Sequence, residues 1–131
     1  MKLAVTVYSS PAQGASAWSA YRFTVAALHA GHHIYRVFFY HDGVYHGADN
    51  HCLAQDEQSL PHCWQQLAQA HQLDLVVCVS AARRRGVFNT AEGAREGCAD
   101  NLIDGFELSG LGQYTDALLR ADRMITFGPP A

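Results

Sequence analysis

No apolar run in this sequence approaches the roughly 18 residues that a membrane-crossing helix needs. The opening stretch MKLAVTVYSSPAQG has one lysine and a short apolar run. It lacks the longer apolar centre and small-residue cleavage site of a secretory leader. It reads as a first strand that starts at once, in a cytoplasmic protein. An excess of positive charge is missing too. Lys and Arg total 9 against 12 Asp and Glu, a net charge of -3. Nonspecific nucleic-acid binding needs a basic surface that displaces counterions, so direct contact with nucleic acid is not expected. Nucleotide fingerprints are also absent. The turn SSPAQGASA has neither G-x-G-x-x-G nor a G-K-[ST] ending, and no G-x-S-x-G elbow presents a serine nucleophile.

What is present is a globular composition, 49% hydrophobic and 16% charged over 131 residues. That suits one domain, residues 1–131, with one core. The apolar content, with the aromatic cluster Phe38, Phe39, Tyr40 and Tyr45, predicts apolar surface left over for an oligomer interface. Four cysteines occur, Cys52, Cys63, Cys78 and Cys98. Without a secretory context they are expected as free thiols. The pairs His51-Cys52 and His62-Cys63 contain zinc-type ligands, but their separation matches no common zinc spacing. Cys63 falls within an expected helix, near its packed side. His29, His32 and His33 are expected on the surface.

Short β-branched runs alternate with helical patterns. Lys2–Tyr8 and His33–Tyr40 read as buried strands. Between them, Trp18, Tyr21, Val25 and Leu28 form a helical stripe that Gly31 stops. Residues 41–60 are polar and rich in Gly and Asp, a loop of functional length. PHCWQQLAQAHQ opens a helix on proline, LDLVVCVS is a third strand, and AARRRG is a short helical turn. TAEGAREGCADN is a Gly-interrupted helix. GFELSGLG holds a fourth strand and a glycine turn. QYTDALLRA is a helix with Tyr114, Leu118 and Ala121 on one side, and DRMITF is the last strand. This order predicts an α/β domain with a mainly parallel sheet of about five strands flanked by helices.

Cys78 is the chemical focus. It falls at the C-terminal end of the third strand, the edge where open parallel sheets bind ligands. A following helix dipole and Arg83, Arg84 and Arg85 are positive influences of the kind that favour thiolate, the nucleophilic form. Three adjacent arginines point in three directions, so at most two of them face Cys78. On this pattern alone two readings stay open, a reactive thiolate and a small packed hydrophobe. The glycine turn Leu108–Gln113, with a helix behind it, is a second place where a small anion could sit.

The segments VFFYHDGVYHGA, LVVCVSAARRRGV and GFELSGLGQ, in this order, resemble the TusD/DsrE family of sulfur-relay subunits. The resemblance runs from KLAVTVYSSPAQG to DRMITF. It implies a DsrE-like, flavodoxin-like fold and a persulfide on Cys78. It implies a heterohexamer with TusB-like and TusC-like subunits, a TusA-like sulfur donor and a TusE-like acceptor. The end product implied is 2-thiouridine at the tRNA wobble position, or, for DsrE-type members, cytoplasmic sulfur oxidation. Such a relay needs no metal, flavin or nucleotide. Cys52, Cys63 and Cys98 match no carrier motif. The competing classes are a non-catalytic anion- or nucleotide-binding module and a purely structural subunit.

Overall fold

The computed structural model describes residues 1–13, 15–49 and 58–128 of the chain. The strands are β1 Lys2–Val7, β2 His33–Phe39, β3 Leu75–Cys78, β4 Phe106–Ser109 and β5 Arg123–Phe127. They form one sheet in the order β4-β3-β2-β1-β5, and every adjacent pair is parallel. The first three steps move one way across the sheet, and the last jumps back from β4 to β5. Right-handed crossovers therefore put the helices of the early steps on one face and the last helix on the other.

On the first face lie α1, Ala15–His29, and α2, Leu60–His71. Ser59 caps α2 by accepting the His62 N–H, and proline stands in its first turn. Trp64 of α2 meets Phe39 and Tyr21 edge-on at 5.4 and 5.3 Å. The stripe expected on α1 is shifted. Its buried side is Ala17, Ala20, Thr24 and Ala27, while Trp18, Tyr21 and Leu28 flank it half-buried. Small residues let a helix settle close to a sheet, and the large ones seal the sides.

On the second face lies α5, Leu111–Arg120. It starts two residues before the expected Gln113, because Gly110 is extended and serves as its N-cap. Its packed side is also different. Ala117 is fully buried and Tyr114 meets Phe38 at 5.4 Å, whereas Leu118 is exposed and Ala121 lies past the helix end. The reason is polar. Asp116 accepts from Tyr35 Oη at 2.6 Å, from Arg36 Nη1 at 3.0 Å and from Arg120 Nε at 2.8 Å. Arg36 also reaches Asp74 at 2.7 Å. Docking through Asp116 turns the leucines outward. The expectation that Phe38 and Phe39 exceed the core is corrected, since both are fully buried within it. Among the described residues, the exposed large apolar side chains beyond the first residue are Leu111, Leu118 and Leu119 of α5.

The Tyr35 hydroxyl, then Arg120 and Arg36, hold the Asp116 carboxyl down at about 2. A carboxyl lowered in the folded state adds stability above its unfolded value, and that stability is lost as pH falls through the folded value. Wild type should therefore lose more stability than Asp116→Asn as pH drops from about 4 to about 2. Urea unfolding at stepped pH measures this. Parallel pH curves for the two proteins would disprove it.

The remaining helices are short: α3, Val79–Arg84, and α4, Thr90–Glu96. The expected long loop is partly structured, for His41–Gly47 is a 3-10 helix packed against β3 and α3. Its Gly43, Val44, His46 and Gly47 are buried, which anchors a polar-looking stretch to the core. His29 and His33 are exposed as expected. His32 is half-buried, with Nδ1 3.2 Å from the N-terminal amine. Among the described residues no helix is long and apolar enough to cross a membrane.

Candidate functional site

Because the sheet is wholly parallel, all its strands finish at one edge. Tyr8, Tyr40, Cys78, Ser109 and Gly128 stand at or just past those ends. Cys78 is the last residue of β3, in register with Ser109 of β4, and is also the N-cap of α3. The sequence sets this junction locally. The apolar run Leu75–Cys78 is buried throughout, and the Ala- and Arg-rich segment after it favours helix. Gly86, at φ +74, ends that helix in a conformation glycine adopts without strain. Register pairs Phe38 with Val76, and side chains alternate along a strand, so Cys78 shares the sheet face of Phe38. The thiol residue is 2% exposed.

The three arginines part company here. Arg83 faces α4, with Nη2 2.9 Å from Glu92 and Nε 3.7 Å from Glu96. Arg85 turns the other way, with Nε 2.8 Å from Asp42 of the 3-10 helix and Nη1 3.2 Å from the Ala81 carbonyl. Arg84 is exposed and has no hydrogen-bond or carboxylate partner among the described residues. Two of the three are thus committed to holding neighbouring elements on α3.

Open space surrounds this edge. A cleft of about 490 Å³ is lined by Tyr40, His41, Tyr45, Ser80, Arg84 and Arg85, among others. It shares His41, Asp42 and Arg85 with a cleft of about 390 Å³ that reaches Tyr8 and Gly128. A third, of about 300 Å³, lies between Tyr8, Tyr40, Leu111 and Tyr114. His41 adopts φ 50, unusual for a residue with a side chain. Its ring stands 4.5 Å from Tyr40 and 5.5 Å from Tyr8. Burial, then the neighbouring phenols of Tyr114 and Tyr40, raises the Tyr8 pKa, so its hydroxyl stays protonated at neutral pH.

One close approach fixes the 3-10 helix over the end of β1. A Cβ on Gly43 would sit 2.0 Å from the Val7 carbonyl oxygen, which already accepts the Tyr40 N–H at 3.0 Å. Sequence reasoning missed Tyr8, His41 and the Asp42–Arg85 bridge. The segment FFYHDGVY carried the signal for its own residues, but nothing in spacing links position 42 to position 85.

Among the described residues, the other cysteines lie elsewhere. Cys63 sits half-buried on α2, and burial pushes its thiol pKa up. Cys98 is exposed just past α4. His51 and Cys52 fall outside the described residues. His62 is exposed, with Nδ1 2.7 Å from Ser59 Oγ and Nε2 3.9 Å from Asp49. Among the described residues no group of three His, Cys, Asp or Glu could hold a metal ion. The turn after β1 is tied to its neighbours through Ser9. Ser9 Oγ meets Ser16 Oγ at 2.6 Å, and the Ser9 carbonyl lies 3.0 Å from the buried His46 Nε2. The glycine turn Leu108–Gln113 does bring the start of α5 to this edge, two residues after Ser109.

The model of the DsrE/DsrF-like family matches residues 1–127. A TusD sulfurtransferase homolog of Pseudomonas aeruginosa is 46% identical over 129 residues, covering 98% of each chain. A protein named DsrE from Allochromatium vinosum is 44% identical over 129 residues, covering 98% of this chain and 99% of its own. The crystal structure of the ychN protein from E. coli shares the fold, with a TM-score of 0.78 at 20% identity over 97% of this chain and 99% of that one.

Proposed function

The chain belongs to the DsrE/DsrF-like family, and from that premise we propose that it is a sulfurtransferase subunit whose Cys78 carries sulfur as a persulfide. The observation that carries this reading is the place of Cys78. It is the only cysteine among the described residues at the C-terminal edge of the sheet, where a strand becomes a helix beside open clefts. Relatives named TusD sulfurtransferase, similar over nearly the whole chain, support the reaction class.

The Cys78 thiolate attacks the outer sulfur of a donor persulfide, R–S–SH. A new S–S bond forms on Cys78, the donor's S–S bond breaks, and the donor leaves as R–S⁻. An acceptor thiolate then attacks the outer sulfur on Cys78 and regenerates its thiolate. No electrons are gained or lost overall, and the rate follows thiolate fraction, leaving-group acidity and access. The protein supplies position, shielding from water and a docking edge.

The donor is TusA-like and the acceptor TusE-like, in the cytoplasm, and the sulfur ends in 2-thiouridine at the tRNA wobble position. The subunit works in a heterohexamer with TusB-like and TusC-like chains. The exposed Leu111, Leu118 and Leu119 on α5 suit an interface of that kind. A second reading is sulfur oxidation, as the resemblance implies for DsrE-type members; a relative named as a sulfurtransferase DsrE is 44% identical. Wild type incubated with a persulfidated TusA-like donor should gain about 32 Da on the Cys78 peptide, removable by reductant, as a persulfide is. No gain there would reject the carrier role. Restoration of wobble 2-thiouridine in cells lacking the TusD subunit separates tRNA thiolation from oxidation.

A further inference from the structure

We propose that the cleft between the 3-10 helix and α3 receives an acidic segment of the protein that exchanges sulfur with Cys78, and that Arg84 is the residue that selects it. The proposal deepens the carrier reading of Cys78. Arg83 and Arg85 are neutralised by Glu92, Glu96 and Asp42. Arg84 keeps an exposed guanidinium without a carboxylate partner among the described residues, and it lines the cleft. The unmatched charge of the arginine run therefore sits in the space beside the helix that Cys78 caps. Tyr40, Tyr45, His41 and the Arg85-paired Asp42 line the same cleft, whose volume of about 490 Å³ is more than one small anion fills and suits a short peptide segment. A carboxylate fits the planar guanidinium better than any neutral group does.

The geometry also sets a spacing. Arg84 is six residues beyond Cys78 along α3, a rise of about 9 Å at 1.5 Å per residue. An extended chain covers about 3.3 Å per residue, so the acidic residue should stand about three positions from the partner's cysteine.

The test uses disulfide exchange, which does not require Cys78 to accept a persulfide. The probes are two symmetric disulfide-linked cysteine peptides, one with Glu three positions from Cys and one with Lys there. Cys78 thiolate attacks one sulfur, a mixed disulfide forms, and the second peptide leaves as thiolate. The protein carries Ser at Cys52, Cys63 and Cys98, and mass spectrometry follows label on Cys78. We expect the Glu peptide to label Cys78 about five- to tenfold faster than the Lys peptide at low salt. The advantage should shrink as salt shortens the screening length from about 10 to about 3 Å. Arg84→Gln should remove the preference, Arg84→Lys should retain part of it, and Arg83→Gln should leave it intact. Equal labelling by both peptides, no labelling by either, or an unchanged preference in Arg84→Gln overturns the proposal. A preference that survives while the persulfide mass gain fails would instead remove the carrier reading alone.

Discussion

Cys78→Ser is expected to reduce sulfur transfer to background while leaving the chain folded. The sulfur must be held by one covalent bond, and the bond that permits reversible passage is S–S. A serine hydroxyl is almost wholly protonated at neutral pH and does not attack the outer sulfur of a persulfide. The exchange is close to isosteric, so no cavity opens in the core that Cys78 joins at 2% exposure. Burying a hydroxyl in place of a thiol costs about 1–2 kcal/mol, so a Cys78→Ala variant serves as the second probe of the same loss. Serine at Cys52, Cys63 or Cys98 should leave the mass gain on Cys78 unchanged. Transfer assays with labelled donor sulfur, set beside thermal unfolding of each variant, decide the matter. Wild-type transfer by a folded Cys78→Ser protein would end the assignment.

Gly43→Ala should be the most damaging alanine substitution among the described glycines. The added carbon would lie 2.0 Å from the Val7 oxygen and 2.9 Å from its carbon. Both are backbone atoms of an inner strand, so no flexible side chain can swing away. Relief requires lifting the 3-10 helix off β1, which also breaks the Tyr40 N–H bond to the same oxygen. Overpacking and a lost buried hydrogen bond together cost about 2–4 kcal/mol. The lift would displace His41 and Asp42, loosening the bridge to Arg85 and reshaping the cleft. Gly112→Ala is the control. It lies within α5, a Cβ there meets nothing within 4 Å, and alanine favours helix over glycine by about 1 kcal/mol. Denaturant unfolding should show Gly43→Ala falling and Gly112→Ala holding or rising. Equal stabilities would contradict the close approach.

Local chemistry was already legible along the chain. Apolar β-branched runs such as Lys2–Val7 and His33–Phe39 can only be satisfied as buried strands, and amphipathic segments between them force parallel crossovers. The strand-end position of Cys78 followed from that order, because an apolar run meeting an Ala- and Arg-rich segment marks where β3 becomes α3. Tertiary structure alone decided what depends on distant partners. Periodicity on α5 pointed to Leu118, but Asp116 turned the helix by reaching Tyr35 and Arg36, some 80 residues away in sequence. The run Arg83 to Arg85 looked uniform until Glu92 and Asp42 claimed its ends and left Arg84 to the cleft. The 3-10 helix within residues 41–60 was hidden because its anchor is the Val7 carbonyl, a backbone atom that no side-chain pattern encodes. A chain writes its local preferences residue by residue. Ion pairs and close backbone contacts are chosen only when folding brings remote segments together.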